Sequence, residues 1–163
     1  MRSRSFGTVM AMCAMFLFMG GNTVFAESGI KWISLTAAKA QAKKTGKPIM
    51  VSFYTTWCGY CKKMDRETFK NPAVIKAVNE NFIPVMLDGD EESDLARAYS
   101  VRGYPTIVFA DAEGNSLLAS PGYRPPEHFI GLLKYVDSGM YKKMTYDRFY
   151  SEFAKRYSFP AAK

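Results

Sequence analysis

The stretch "IMVSFYTTWCGYCKKMD" (49–65) constrains this chain more than any other. Its first eight residues are almost all apolar or β-branched, a pattern that suits a strand buried on both faces. Two cysteines follow, Cys58 and Cys61, and "CKKMDRETF" (61–69) then has helical composition with Met64 and Phe69 as apolar anchors. The cysteines therefore stand where a buried strand gives way to a helix. Half of a zinc site, a haem attachment point, a structural staple and a redox dithiol all use this spacing. The rest of the chain has to decide among them.

The first 26 residues read as an export signal. Arg2 and Arg4 open it, "VMAMCAMFLFM" (9–19) is an apolar run too short to span a bilayer, and Val24 and Ala26 form a small-residue cleavage pattern. The alternative is an uncleaved N-terminal anchor. Cleavage after Ala26 removes Cys13 and lowers Lys+Arg from 22 to 20 against 15 acids, a net charge of +5. The basic residues are scattered, as at 43–44, 62–63 and 142–143, which reads as solvated surface and not as a nucleic-acid or membrane face.

Export places the protein in an oxidising compartment. The exported chain keeps Cys58 and Cys61, which close too small a loop to stabilise much as a staple. Zinc needs four ligands, or three and a water. The only histidine, His128, is far away on a predicted surface helix, where no catalytic role is expected of it. No metal and no cofactor are expected. Haem attachment wants a histidine directly after the second cysteine, where this chain has Lys62. The redox reading fits the chemistry. A thiolate at a helix N-terminus is stabilised by the dipole and free N–H groups, so Cys58 would be the nucleophile and Cys61 would resolve the mixed disulfide. Lys62 and Lys63 either add positive potential or are solvated helix residues.

Other elements follow from local signals. "ISLTAAKAQAKKTGKP" (33–48) predicts a helix capped by Ser34 or Thr36 and ended by Gly46. "NPAVIKAVNENF" (71–82) predicts a helix with Asn71 as cap and Pro72 at its first position. Strands are expected at 82–88, 104–111 and 116–122, the last two as a hairpin, with a short helix at 91–101. Phe129, Leu132, Leu133 and Val136 give one apolar face to a helix over 125–139. This is an α/β sandwich with a mixed central sheet. In the tail, Tyr146, Phe149, Tyr150, Phe153 and Tyr157 fall at helical spacing behind a Thr145 cap, and packing on the domain is expected over an exposed partner-binding stripe. The expected organisation is signal 1–26, domain 27–139 and helical extension 140–163.

"WCGYC" after a buried strand, with "RGYPT" (102–106) ahead of the last strand pair, resembles the thioredoxin superfamily over about residues 30–138. The segment from Gly46 to Glu91 is most similar to secreted thioredoxin-like proteins akin to the C-terminal domain of the interchange protein DsbD. The resemblance implies a thioredoxin fold. It also implies a cis Pro105 against the dithiol that helps hold substrate peptide, and a Tyr104 that tunes substrate release. By the same likeness the function is thiol–disulfide exchange on protein disulfides in the bacterial periplasm. The expected protein is a monomer, recharged by a membrane electron donor of the DsbD type.

Departures from that family bear on direction. Its members place a buried aspartate six residues before the first cysteine, where this chain has Ser52. Asp65, one helical turn after Cys61, matches an acidic position of the DsbD domain and is expected to help deprotonate Cys61. Gly59-Tyr60 between the cysteines lacks the histidine of the strong oxidants, and the chain has no room for an isomerase's dimerisation domain. A reductant or electron relay is therefore expected over an oxidase or isomerase. Trp57, Gly59, Tyr60 and Tyr104 would form the docking surface for substrate. Competing readings are a binding module whose dithiol rests oxidised and an apocytochrome c maturation reductant, for which the acidic "DGDEESD" (88–94) is a short match.

Overall fold

The apolar run after Pro48 forms β1 (Ile49–Tyr54), buried from Ile49 through Phe53. It is an inner strand of a four-stranded sheet in the order β2-β1-β3-β4. The computed structural model describes residues 29–157, so the expected export signal and Cys13 lie outside the described residues. β2 (Ile83–Asp88) runs parallel to β1, β3 (Thr106–Ala110) lies antiparallel on its other side, and β4 (Ser116–Pro121) returns as a hairpin.

Side chains alternate across a strand with period two, and here the alternation divides the core. Ile49, Val51 and Phe53 pack with Ala38 and Ala42 of α1 (Leu35–Thr45) and Ala96 of α4 (Ser93–Ala98). Met50 faces the opposite side, with Met64 of α2 (Gly59–Glu67), Val74 and Val78 of α3 (Pro72–Asn81) and Phe129 and Leu133 of α5 (Pro126–Asp137). Ser52 shares that second side by alternation and is 2% exposed.

The local signals act as expected at the helix ends. Ser34 accepts from the Ala37 N–H at 3.3 Å, Gly46 takes the left-handed conformation at φ 71°, and Asn71 Oδ1 accepts from the N–H groups of Ala73 and Val74. Element ends shift by one to three residues from those expected, as in α4, which is shorter at both ends than 91–101, and three of the shifts shape the site. β1 ends at Tyr54, two residues early, because the chain turns there and the Cys58 N–H bonds back to the Thr55 carbonyl. α2 starts at Gly59, so Cys58 caps the helix and Cys61 lies within its first turn. β3 starts at Thr106, just after a cis Tyr104–Pro105 peptide.

Of the C-terminal aromatics, Tyr146, Phe149, Tyr150 and Phe153 pack on the domain, whereas Tyr157, expected to pack with them, stacks on Phe153 at 5.1 Å at the helix end and is 44% exposed. Gly139, at φ 69°, ends α5 and leads through a 3-10 turn (Met140–Lys142) into α6 (Tyr146–Arg156). The approach is close because Gly131 of α5 has no side chain: a Cβ there would sit 2.6 Å from the Tyr150 ring. Thr145 occupies the cap position with extended backbone but makes no capping hydrogen bond through its side chain. His128 is half-buried, not a surface residue. Its ring stacks on Tyr150 at 4.3 Å and its carbonyl accepts from the Tyr146 hydroxyl at 2.8 Å, because α6 folds over α5. Among the described residues no helix is long and apolar enough to cross a membrane.

Candidate active site

Cys58 and Cys61 are joined by a disulfide with their Cα atoms 5.2 Å apart. Three residues is too short a separation to bridge within an extended strand. The first turn of a helix brings the two together, with Cys58 as the extended cap and Cys61 at the third helical position. The Cys61 N–H donates to Cys58 Sγ at 3.0 Å, so the first sulfur takes up a backbone donor that the helix start leaves unpaired. Cys58 is 5% and Cys61 8% exposed.

Aromatic rings surround the first sulfur's side of the helix. Trp57 and Tyr60 are 68% and 64% exposed, far more open than the other large apolar side chains around the site. The Trp57 ring meets Tyr104 edge-on at 6.0 Å, and its Nε1–H donates to Asp90 Oδ2 at 2.8 Å. Tyr104 lies across Gly89, where a Cβ would collide with the tyrosine ring. Burial first, then the Asp90 and Asp88 carboxylates, push the Tyr104 hydroxyl above its ordinary range. Gly59 is exposed and a Cβ there would meet nothing, which leaves open space between Trp57 and Tyr60.

Three neighbours of the dithiol and its aromatic surface escaped the sequence reading. Asp90 tethers Trp57 from the loop after β2. Tyr123 sits 6.3 Å from the Tyr60 ring and donates its hydroxyl to Glu67 at 2.6 Å. Burial and the Glu67 hydrogen bond raise the Tyr123 hydroxyl to about 12. Lys63 lies over the Tyr123 ring at 4.7 Å, so it is engaged by Tyr123 and Glu67 and is more than a solvated lysine. The third is Thr55, which is buried at the end of β1. No spacing rule links 90 or 123 to 57 or 60, so only the fold discloses these pairs.

On the second sulfur's side a cleft of about 430 Å³ is lined by Cys61, Thr55, Lys62, Asp65 and Met86, among others. Asp65 is exposed there, one turn along α2 from Cys61. Pro105 is buried with its peptide cis, and its carbonyl accepts from the Gly122 N–H at 2.8 Å. The structure thus gathers Cys58, Cys61, Trp57, Gly59 and Tyr60 on one turn, Tyr104 beside Trp57, and Asp65 in the Cys61 cleft.

A linked cysteine pair at a helix start, on a mixed sheet with a cis-proline ahead of its last hairpin, defines a thiol–disulfide oxidoreductase of the thioredoxin type. A thioredoxin-like domain family model matches residues 35–137, and the chain belongs to that family. It is 34% identical over 97 residues to the thiol:disulfide interchange protein DsbD of Ralstonia nicotianae, covering 57% of this chain and 16% of that protein. It is 46% identical over 63 residues to rabbit (Oryctolagus cuniculus) protein disulfide-isomerase, covering 39% of this chain and 12% of that one. The chain thus spans under a fifth of these curated relatives. Among solved structures, a thioredoxin from Thermus thermophilus aligns with a TM-score of 0.60 at 30% identity, over 66% of this chain and 87% of that one. The reduced C-terminal domain of Neisseria meningitidis DsbD aligns at 0.52 and 25% identity, over 61% and 90%.

Proposed function

We propose that the chain is an exported, periplasmic disulfide reductant or electron relay. In this reading residues 27–139 form the exchange domain and 140–163 a C-terminal extension, whose described part packs on the domain through α6, and the whole acts as a monomer. The observation that carries the exchange chemistry is the position of Cys58, a helix cap whose sulfur accepts the Cys61 N–H at 3.0 Å. The reducing direction is supported by the likeness to DsbD and by a Gly59-Tyr60 pair with no histidine to stabilise the thiolate further. Donors aimed at a sulfur favour its thiolate, which is the attacking species.

The Cys58 thiolate attacks one sulfur of a substrate disulfide. A Cys58–substrate bond forms, and the other substrate sulfur leaves as a thiolate and takes a proton. Cys61 loses its proton, for which Asp65 in the shared cleft is the acceptor, and attacks Cys58 Sγ. The Cys58–substrate bond breaks, the second substrate sulfur leaves and is protonated, and the Cys58–Cys61 disulfide remains. Two electrons pass from protein to substrate. Trp57, Tyr60 and Tyr104 offer the polypeptide an exposed aromatic seat, with space over Gly59 and the Pro105 loop alongside. A membrane donor of the DsbD type would return the electrons, a proposal supported by the likeness to DsbD.

The reduction potential of the Cys58–Cys61 couple tests the direction. A value near or below about −220 mV supports a reductant, and one above roughly −150 mV makes the protein an oxidant. Insulin reduction by the wild type, lost in Cys58→Ser, separates exchange from a binding module whose dithiol rests oxidised. An Asp65→Asn variant that keeps the wild-type rate of Cys61 attack removes Asp65 from the mechanism.

A further inference from the structure

Buried polar side-chain atoms are nearly always hydrogen-bonded. Among the described residues one buried side-chain oxygen has no partner, Thr55 Oγ1. Thr55 is 1% exposed and lines the same cleft as Cys61 and Asp65. Its carbonyl holds the Cys58 N–H at 3.2 Å, so its backbone belongs to the turn that presents the dithiol.

The two sulfurs are not equally provided for. Cys58 Sγ receives the Cys61 N–H, so Cys61 has spent its own amide on its neighbour. A Cys61 thiolate, buried within the first turn, needs a different donor. Asp65 is exposed and can pass the Cys61 proton on to solvent, but once ionised again its carboxylate repels the thiolate and cannot solvate it. A neutral hydroxyl in the cleft meets the requirement without adding charge.

We propose that Thr55 Oγ1 donates a hydrogen bond to the Cys61 thiolate once the disulfide is reduced, lowering the pH at which Cys61 resolves a mixed disulfide. In the oxidised state the Cys61 sulfur is a neutral, weak acceptor, and the hydroxyl is idle. After reduction it stabilises the nucleophile of the second step. No new bond change is added: Cys61 S–H still gives its proton to the acceptor, its sulfur still attacks Cys58, and the substrate sulfur still leaves. The assignment rests on the exchange reading above.

The test follows the reduced protein reacting with excess of an aromatic disulfide that releases a coloured thiolate. Attack by Cys58 releases the first equivalent at a rate proportional to reagent, and attack by Cys61 releases the second at a rate independent of it. Both phases are measured across pH for wild type, Thr55→Val, which keeps the shape and loses the hydroxyl, and Thr55→Ser, which keeps the hydroxyl. The expected result is an unchanged first phase in all three. In Thr55→Val the second phase slows about tenfold at neutral pH, with its midpoint moved up by about one pH unit, and Thr55→Ser stays within about twofold of wild type. A wild-type midpoint in Thr55→Val overturns the proposal, as does an equal slowing in Thr55→Val and Thr55→Ser with the midpoint unmoved, which is a packing effect. Should Thr55→Val fail to fold, titration of thiolate ultraviolet absorbance in Thr55→Ala and Thr55→Ser decides: equal second-thiol midpoints overturn it. If wild type releases neither equivalent, the exchange reading falls and the Thr55 role with it. If wild type releases both and Thr55→Val matches it, the Thr55 role alone falls.

Discussion

Aromatic residues gather at two places in this molecule, and they are used in opposite ways. Around the dithiol, Trp57 and Tyr60 stand 68% and 64% exposed, each held from one side by Tyr104 or Tyr123. Across α5 and α6, Tyr135, Tyr146, Phe149, Tyr150 and Phe153 form a chain of ring contacts at 5.2–6.3 Å and lie half-buried or deeper. Composition alone does not distinguish them. The difference lies in what the backbone brings opposite each ring. A helix returning over Gly131 covers the C-terminal set, whereas the turn after β1 leaves its own set facing solvent. In the proposed exchange reading, this open set is the seat for a substrate polypeptide.

The comparison breaks most sharply at the sulfur itself. Cys58→Ser should abolish disulfide reduction while leaving the α5–α6 face folded, read by insulin turnover alongside circular dichroism. On the other face, Gly131→Val should cost about 2 kcal/mol by forcing Tyr150 away, a drop in Tm of roughly 8 °C. The potential of the Cys58–Cys61 couple should not move. Trp57→Ala should give the inverse pattern. Efficiency towards a protein disulfide falls about tenfold, while a small disulfide reacts at the wild-type rate and Tm stays within about 2 °C.

The smallest effect concerns Tyr146, whose hydroxyl burial pushes up to about 12 from an ordinary 10.0, against the lowering effect of Arg124. A raised folded value means the contribution to stability is complete below pH 10 and is lost as pH climbs towards 12. Tyr146→Phe also forfeits the hydrogen bond to the His128 carbonyl, worth about 1 kcal/mol. The variant should be less stable than wild type below pH 10, and the gap should close between pH 10 and 12 in urea unfolding series. A gap constant across that window would show that the hydroxyl does not titrate differently in the folded state.

Much of the active end is legible in sequence because its signals are local. The strand-to-helix switch at 54–59, the Asn71-Pro72 start and the Gly46 stop each depend on residues within a few positions of each other, and the structure places all three as expected within one to two residues. Most of what the sequence reading missed is non-local; Thr55, three residues before Cys58, is the exception, since only its burial marks it out. Asp90 on Trp57 spans 33 residues and Tyr123 on Glu67 spans 56. His128, expected on the surface, is covered by a ring 22 positions away. Residue patterns report which face of an element is apolar, and they are silent on which neighbour arrives to cover it.

The amino-acid sequence by itself determined the fold class and the dithiol at a helix start, because caps, strand runs and the CxxC turn are short-range consequences of residue type. Tertiary structure alone decided which aromatics stay open, how Asp90, Tyr123 and Glu67 brace them, and that a buried, unpartnered Thr55 hydroxyl lines the Cys61 cleft. Those depend on distances between elements far apart in the chain, which are settled only when the sheet alternates its side chains onto two faces and the helices close over them.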